Sequence, residues 1–119
     1  MDKKALLLTL PWPPSANTYW RRNGSRYFIS PKGQDYRQYV LIDAIHGRNY
    51  FDKDSRIKLI IEAYPPDKRK RDLDNLFKSL LDSLQFARVF PDDNQIDILY
   101  IQRMPENLNK IELALFEIN

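Results

Sequence analysis

Apolar and polar positions divide the chain into short stretches of strand or helix periodicity. Ala5-Leu6-Leu7-Leu8-Thr9-Leu10 is a continuous apolar run that predicts a buried strand. Pro11-Trp12-Pro13-Pro14 ends it as an extended loop, because proline supplies no ladder donor. Arg22-Asn23-Gly24-Ser25 predicts a hairpin turn, with Arg26 to Ile29 as the return strand. Ser30-Pro31 combines an N-cap with proline at the first helical position. A helix to Ile45 follows, carrying Tyr36, Tyr39, Val40, Leu41 and Ala44 at helical spacing, and His46-Gly47 ends it. After a polar turn at Asp52 to Ser55, Ile57 to Tyr64 alternates as a half-buried strand with Ile57, Leu59 and Ile61 on one face. Pro65-Pro66 stops that strand. A second helix is predicted from Asp74 to Phe86, striped by Leu76, Leu80 and Leu84 with Phe77 and Leu81. A turn through Pro91-Asp92-Asp93-Asn94 leads to strands at Ile96 to Gln102 and Ile111 to Ile118. This order predicts a single compact α/β (α+β) domain over residues 1–119, a mixed sheet of about four to five strands with two main helices.

Composition narrows the chemistry. The chain contains no cysteine, which removes disulfides, thiolate zinc sites and cysteine nucleophiles and suits a reducing cytoplasm. No signal peptide is evident and the apolar run at residues 5–10 is far too short to span a bilayer, so no membrane association is expected. The net charge of +3 is unevenly distributed. Residues 1–37 carry seven cations (Lys3, Lys4, Arg21, Arg22, Arg26, Lys32, Arg37) against Asp2 and Asp35, whereas residues 89–119 carry six acids against Arg103 and Lys110. Together with a basic run at 68–71, this points to a surface for a polyanion.

That run is the most informative segment. Lys68-Arg69-Lys70-Arg71 stands directly before Asp72-Leu73-Asp74-Asn75, at the start of the second helix. Cations grip phosphates, setting position rather than reading bases. In an extended segment alternate side chains share a face, so Asp72 and Asp74 would project together while Leu73 turns inward. Two carboxylates that close suit Mg²⁺ or Mn²⁺, which favour carboxylates, waters and phosphate oxygens. The alternative is that both acids merely complement a helix N-terminus. Four cations are nevertheless more than two acids require, and a metal-dependent nuclease is the working reading. Lys78 lies four residues beyond Asp74 on the same polar stripe, placed either for an ion pair or to stabilise charge on a reacting phosphate. Asp82 extends that stripe, about 12 Å from Asp74 along the axis, and is assigned a supporting or structural role. Asp92-Asp93 is equally an ordinary turn pair. His46, the single histidine, reads as a helix-end residue. No P-loop and no G-x-G-x-x-G occurs, so no nucleotide or other small-molecule cofactor is expected. Trp12, Tyr19 and Trp20 are better placed for packing than for base stacking.

With these residues in view the chain resembles the RusA family of Holliday junction resolvases. The resemblance rests on Pro66-Asp67-Lys68-Arg69-Lys70-Arg71-Asp72-Leu73-Asp74-Asn75-Leu76-Phe77-Lys78, on Asp82 and on Pro91-Asp92-Asp93. Two further matches are Leu10-Pro11-Trp12-Pro13-Pro14-Ser15-x-Asn17 and Ser30-x-x-Gly33-Gln34-x-Tyr36-Arg37. The resemblance implies a cytoplasmic, homodimeric, Mg²⁺-dependent endodeoxyribonuclease that resolves four-way junction DNA by paired symmetric nicks in recombination and repair. Carried onto this chain, it makes Asp72, Asp74 and Asp93 the catalytic and metal-binding acids and Lys78 the catalytic lysine, with Asp92 the second choice for the third acid. Lys68, Arg69, Lys70 and Arg71 would bind the DNA. One departure is the absence of glycine from Phe86-Ala87-Arg88-Val89-Phe90-Pro91, where the family often has one, so the helix C-terminus is expected to end differently.

Other readings of the same residues are a less selective branched-DNA nuclease and a non-catalytic DNA-binding module. If residues 74–86 form one straight helix its ends lie about 18 Å apart. Asp93 must then either fold back toward Asp72 and Asp74 or meet them across a dimer interface.

Overall fold

A computed structural model describes residues 4–119; Asp2 and Lys3 of the N-terminal charge count lie outside the described residues. The elements are β1 (Ala5–Pro11), α1 (Ala16–Tyr19), β2 (Trp20–Asn23), β3 (Arg26–Ile29), α2 (Pro31–Asp43), β4 (Ile57–Tyr64), α3 (Phe77–Phe86), β5 (Ile96–Arg103) and β6 (Lys110–Glu117). Three 3-10 turns occur at Ile45–Gly47, Leu73–Leu76 and Asp93–Gln95. Four strands form one mixed sheet in the order β1-β6-β4-β5, and β2–β3 is a separate hairpin. The fold is thus the expected α+β domain built around two main helices.

The apolar pattern explains which faces are buried. β4 and β6 lie in the middle of the sheet and alternate strictly, burying Ile57, Leu59, Ile61 and Ala63 together with Ile111, Leu113 and Leu115. Leu76, Leu80 and Leu84 of the second helical segment join the same core, each contributing about 1.5–3 kcal/mol by burial. Two expectations need correction. β1 is an edge strand and is not wholly buried: Leu6, Leu8 and Leu10 face the core, while Leu7 is 70% exposed. In α2 the buried line is Gly33, Tyr36 and Val40, continued by Ala44, and Tyr39 falls outside it and is exposed.

Ser30 caps α2 as the sequence suggests, its Oγ accepting from Gly33 N–H at 3.0 Å. A Cβ at Gly33 would lie 2.5 Å from the Tyr19 carbonyl oxygen, so glycine lets α2 approach α1 closely.

The connection that matters for function joins β4 to β5. These strands are parallel, with Leu59 opposite Leu99 and Ile61 opposite Ile101. A parallel pair needs a crossover that returns the chain to the end from which it started. Here α3 is that crossover. Asp72 and Asp74 precede α3, beyond the end of β4, and Asp93 follows it, just before the start of β5.

α3 ends in a Schellman motif: Arg88 N–H donates to Gln85 O at 3.0 Å and Val89 N–H to Leu84 O at 3.1 Å. Arg88 holds the left-handed conformation there, φ 61°, in place of the usual glycine. The helix therefore terminates as a glycine-capped one would.

Candidate functional site

The basic run folds around Asp67. Arg71 Nη1 donates to Asp67 Oδ1 at 2.6 Å and Arg69 Nη2 to Asp67 Oδ2 at 2.9 Å. These two guanidiniums hold the Asp67 carboxyl well below the usual carboxylate range. Arg103 in turn donates to the Arg71 carbonyl, tying the loop to β5. Lys68 and Lys70 are exposed and form no ion pair among the described residues. Only half of the cationic run is thus unengaged within the chain.

Asp72 and Asp74 are both exposed, and neither forms an ion pair among the described residues. Asp72 occupies the N-cap position of the Leu73–Leu76 turn in extended conformation, yet its side chain makes no capping hydrogen bond. Leu73 between them packs against the core. Asp72 lines a cavity of about 570 Å³ with Lys70, Arg71 and Asn75, walled by Trp12 and the prolines that follow it. Ser79 Oγ on α3 donates to Pro14 O at 2.6 Å and anchors that wall.

A second cavity, about 880 Å³, is lined by Lys78, Asp82 and Asp93 and by residues of the β2–β3 hairpin. The two acids at 92 and 93 differ in employment. Asp92 Oδ1 accepts from Asn94 N–H at 3.0 Å in a capping box with Gln95, whose side chain accepts from the Asp92 N–H. Asp93 caps no turn; its backbone N–H donates to Gln85 Oε1 at 3.0 Å. Partial desolvation against the cavity wall, then the Asp92 and Asp82 carboxylates, raise the Asp93 carboxyl above its ordinary value.

Asp82 is engaged by two neighbouring elements. Arg37 donates to Asp82 Oδ2 through Nη2 at 2.7 Å and Nε at 3.1 Å. The Tyr19 hydroxyl also donates to Asp82 Oδ2 while accepting from Arg37 Nε at 2.8 Å and from Ser83 Oγ at 3.2 Å. Tyr19 is fully buried, and burial followed by its bond to Asp82 raises its phenol further above neutrality, so it remains a donor. Asp82 is thereby held in one orientation at the cavity by residues from α1 and α2. The only trace in the sequence was Arg37 at the end of the Ser30 to Arg37 motif; nothing in the local pattern places Tyr19 beside α3.

Carboxylates are the right donors for a hard divalent cation. Among the described residues, however, no three His, Cys, Asp or Glu side chains converge to hold one ion. Neither Asp72 nor Asp74 is among the charges that perturb Asp93. The parallel crossover accounts for this, since it delivers Asp72 and Asp93 to opposite ends of α3. The donor chemistry fits Mg²⁺ in kind, but one chain presents its oxygen donors at two separate places. His46 lies elsewhere, its Nε2 bonded to Leu7 O at 3.2 Å.

Residues 11–115 match the family model described as endodeoxyribonuclease RusA. A crossover junction endodeoxyribonuclease from Enterobacteria phage HK97 is 50% identical over 96 residues, covering 79% of this chain and 78% of the relative. Crossover junction endodeoxyribonucleases from Escherichia coli K12 and Enterobacteria phage 82 are 38% identical over 112 residues, covering 93% of each chain.

Proposed function

The chain belongs to the RusA family of endodeoxyribonucleases, and from that premise we propose that it is a crossover junction endodeoxyribonuclease that resolves four-way DNA junctions by paired symmetric nicks in recombination and repair. The observation that carries the chemical reading is the exposed, unpaired and non-capping state of Asp72 and Asp74 directly beside the cationic loop. A DNA-binding module using these acids only as helix caps would leave their carboxylates engaged with backbone N–H groups, and Asp72 is not so engaged.

Asp72, Asp74 and Asp93 would hold Mg²⁺, with Mn²⁺ an acceptable substitute. The bound ion would lower the pKa of an attacking water and neutralise charge developing on the phosphate. Lys78 stabilises charge on the non-bridging phosphate oxygens during in-line attack. Lys68 and Lys70, with whatever charge Arg69 and Arg71 still present beside Asp67, grip the backbone and set its position. Asp93 rather than Asp92 is the third acid, because Asp92 already caps the following turn.

The active form is a homodimer in the cytoplasm. A four-way junction offers two equivalent strands, and a two-fold dimer with two sites matches that symmetry. Since Asp93 stands at the far end of a crossover from Asp72 and Asp74, each complete site draws Asp72 and Asp74 from one subunit and Asp93 from the other.

Cleavage of an immobile four-way junction, beside a linear duplex of the same sequence and with or without Mg²⁺, tests this reading. Symmetric Mg²⁺-dependent nicks in the junction alone are expected, abolished in Asp72→Asn while junction binding persists. Binding without cleavage in the presence of either Mg²⁺ or Mn²⁺ would overturn it.

A further inference from the structure

Only the base of the β2–β3 hairpin, Trp20 and Ile29, packs against the core. Residues 21–28 are all exposed, and Gly24 at φ 64° makes the turn. Its register sets Arg22 opposite Tyr27 and Arg21 opposite Phe28. Arg21, Arg22 and Arg26 form no ion pair among the described residues. Tyr27 is 69% exposed, and the Arg22 guanidinium lies 5.6 Å from its ring centre. At the base of the hairpin Trp20 packs edge-on against buried Tyr19, ring centres 4.4 Å apart, which fixes the hairpin to the body.

Trp20, Arg21, Arg22 and Tyr27 of this hairpin line the 880 Å³ cavity together with Lys78, Asp82 and Asp93. The lining therefore combines two kinds of chemistry. One is two carboxylates and a lysine. The other is the rings of Trp20, Tyr27 and Phe77 with the Arg21 and Arg22 guanidiniums. Guanidiniums without carboxylate partners attract phosphate, and exposed aromatic faces next to them are what a single-stranded nucleotide stacks on. An aromatic ring so exposed contributes little to stability, so folding alone does not explain Tyr27.

We propose that the aromatic lining of this cavity receives a nucleobase unstacked from the strand whose phosphate lies against Lys78 and Asp93. The base stacks on Tyr27 and Trp20 while Arg21 and Arg22 hold the flanking phosphates. A base inside a continuous duplex is stacked on both faces and cannot reach Tyr27. At a branch the stack is interrupted, and drawing a base out costs less. The pocket thus makes productive seating of the strand depend on local unstacking, which favours branched over linear DNA. The inference rests on the nuclease reading for the role of Lys78 and Asp93, but base capture itself is measurable without turnover.

The test uses a four-way junction carrying 2-aminopurine at the nucleotide flanking the cleaved phosphate, bound by the full-length Asp72→Asn protein. Binding is expected to shift the 2-aminopurine emission, as the base leaves its stack with neighbouring bases for a tyrosine face. Adding Tyr27→Ala removes that change, and Tyr27→Phe keeps it. In the otherwise wild-type protein, Tyr27→Ala lowers junction cleavage about tenfold, within the range that stacking of one base supplies, and Tyr27→Phe restores it. Replacing the same nucleotide by an abasic one makes Tyr27→Ala and wild type equal. An emission change and a cleavage rate untouched by Tyr27→Ala would overturn the proposal. If wild type cleaves no junction yet the Tyr27-dependent emission change is present, the nuclease reading falls and base capture stands.

Discussion

The Asp93 carboxyl faces two others, Asp92 and Asp82, on a partly desolvated wall, and all three effects favour its protonated form. Its pKa in the folded state therefore lies above the unfolded value, and ionisation costs stability at neutral pH. Below the ordinary carboxylate range the acid is protonated in both states and the cost is absent. Asp93→Asn is accordingly expected to abolish cleavage yet raise the melting temperature at pH 7. That gain should shrink as pH falls through the Asp93 pKa and vanish near about pH 3; a variant less stable than the parent at pH 7 would contradict the local electrostatics. Cations divide in the same residue-by-residue way. Because Arg69 and Arg71 are drawn onto Asp67, Lys68→Gln and Lys70→Gln should each reduce the salt dependence of junction binding by about one unit of log–log slope. Arg69→Gln should reduce it less. Arg37 holds Asp82 through two hydrogen bonds in a partly buried pair. Arg37→Met should cost about 1–3 kcal/mol in chemical denaturation, the scale of a hydrogen bond to a charged group.

Among the elements, α3 illustrates what a sequence exposes and what it hides. Its Leu76, Leu80, Leu84 stripe faces one core and is legible at once, as is the strict alternation of β4. The D-x-D segment was legible as a unit, but its first turn is 3-10 rather than α, a difference that apolar spacing does not encode. Strand direction leaves no mark on alternation either. Nothing in Ile57 to Tyr64 or Ile96 to Arg103 announces that β4 and β5 run parallel, and that single fact separates Asp72 from Asp93. The four-residue α1 was missed because one turn carries no periodicity, and with it went the Tyr19–Arg37–Asp82 brace. At the far end of α3, the absence of glycine suggested an altered terminus, whereas Arg88 accepts the left-handed conformation and both Schellman bonds form. An L side chain there costs about 1 kcal/mol. Arg88→Gly should therefore raise stability by about 0.5–1 kcal/mol without changing cleavage, as measured by chemical denaturation. A loss of stability would mean that the Arg88 side chain carries an interaction outweighing its backbone strain.

For the whole molecule the decisive property is incompleteness. One chain carries acids of the right kind at two places, with no three of them converging among the described residues. Its family relatives act on crossover junctions, a substrate with two equivalent strands. The proposed two-fold pair would resolve both facts, each subunit supplying what the other lacks at a given site. Among the described residues no helix is long and apolar enough to cross a membrane.

The most direct measurement mixes two inactive subunits. Asp72→Asn and Asp93→Asn homodimers each have a defect in both sites. In a heterodimer with shared sites, one site collects both substitutions and the other is intact. Purified, differently tagged heterodimers on an immobile junction with Mg²⁺ should therefore recover cleavage, as single nicks rather than paired ones. Heterodimers as inactive as either parent would contradict the shared site and require Asp93 to reach Asp72 and Asp74 within one chain.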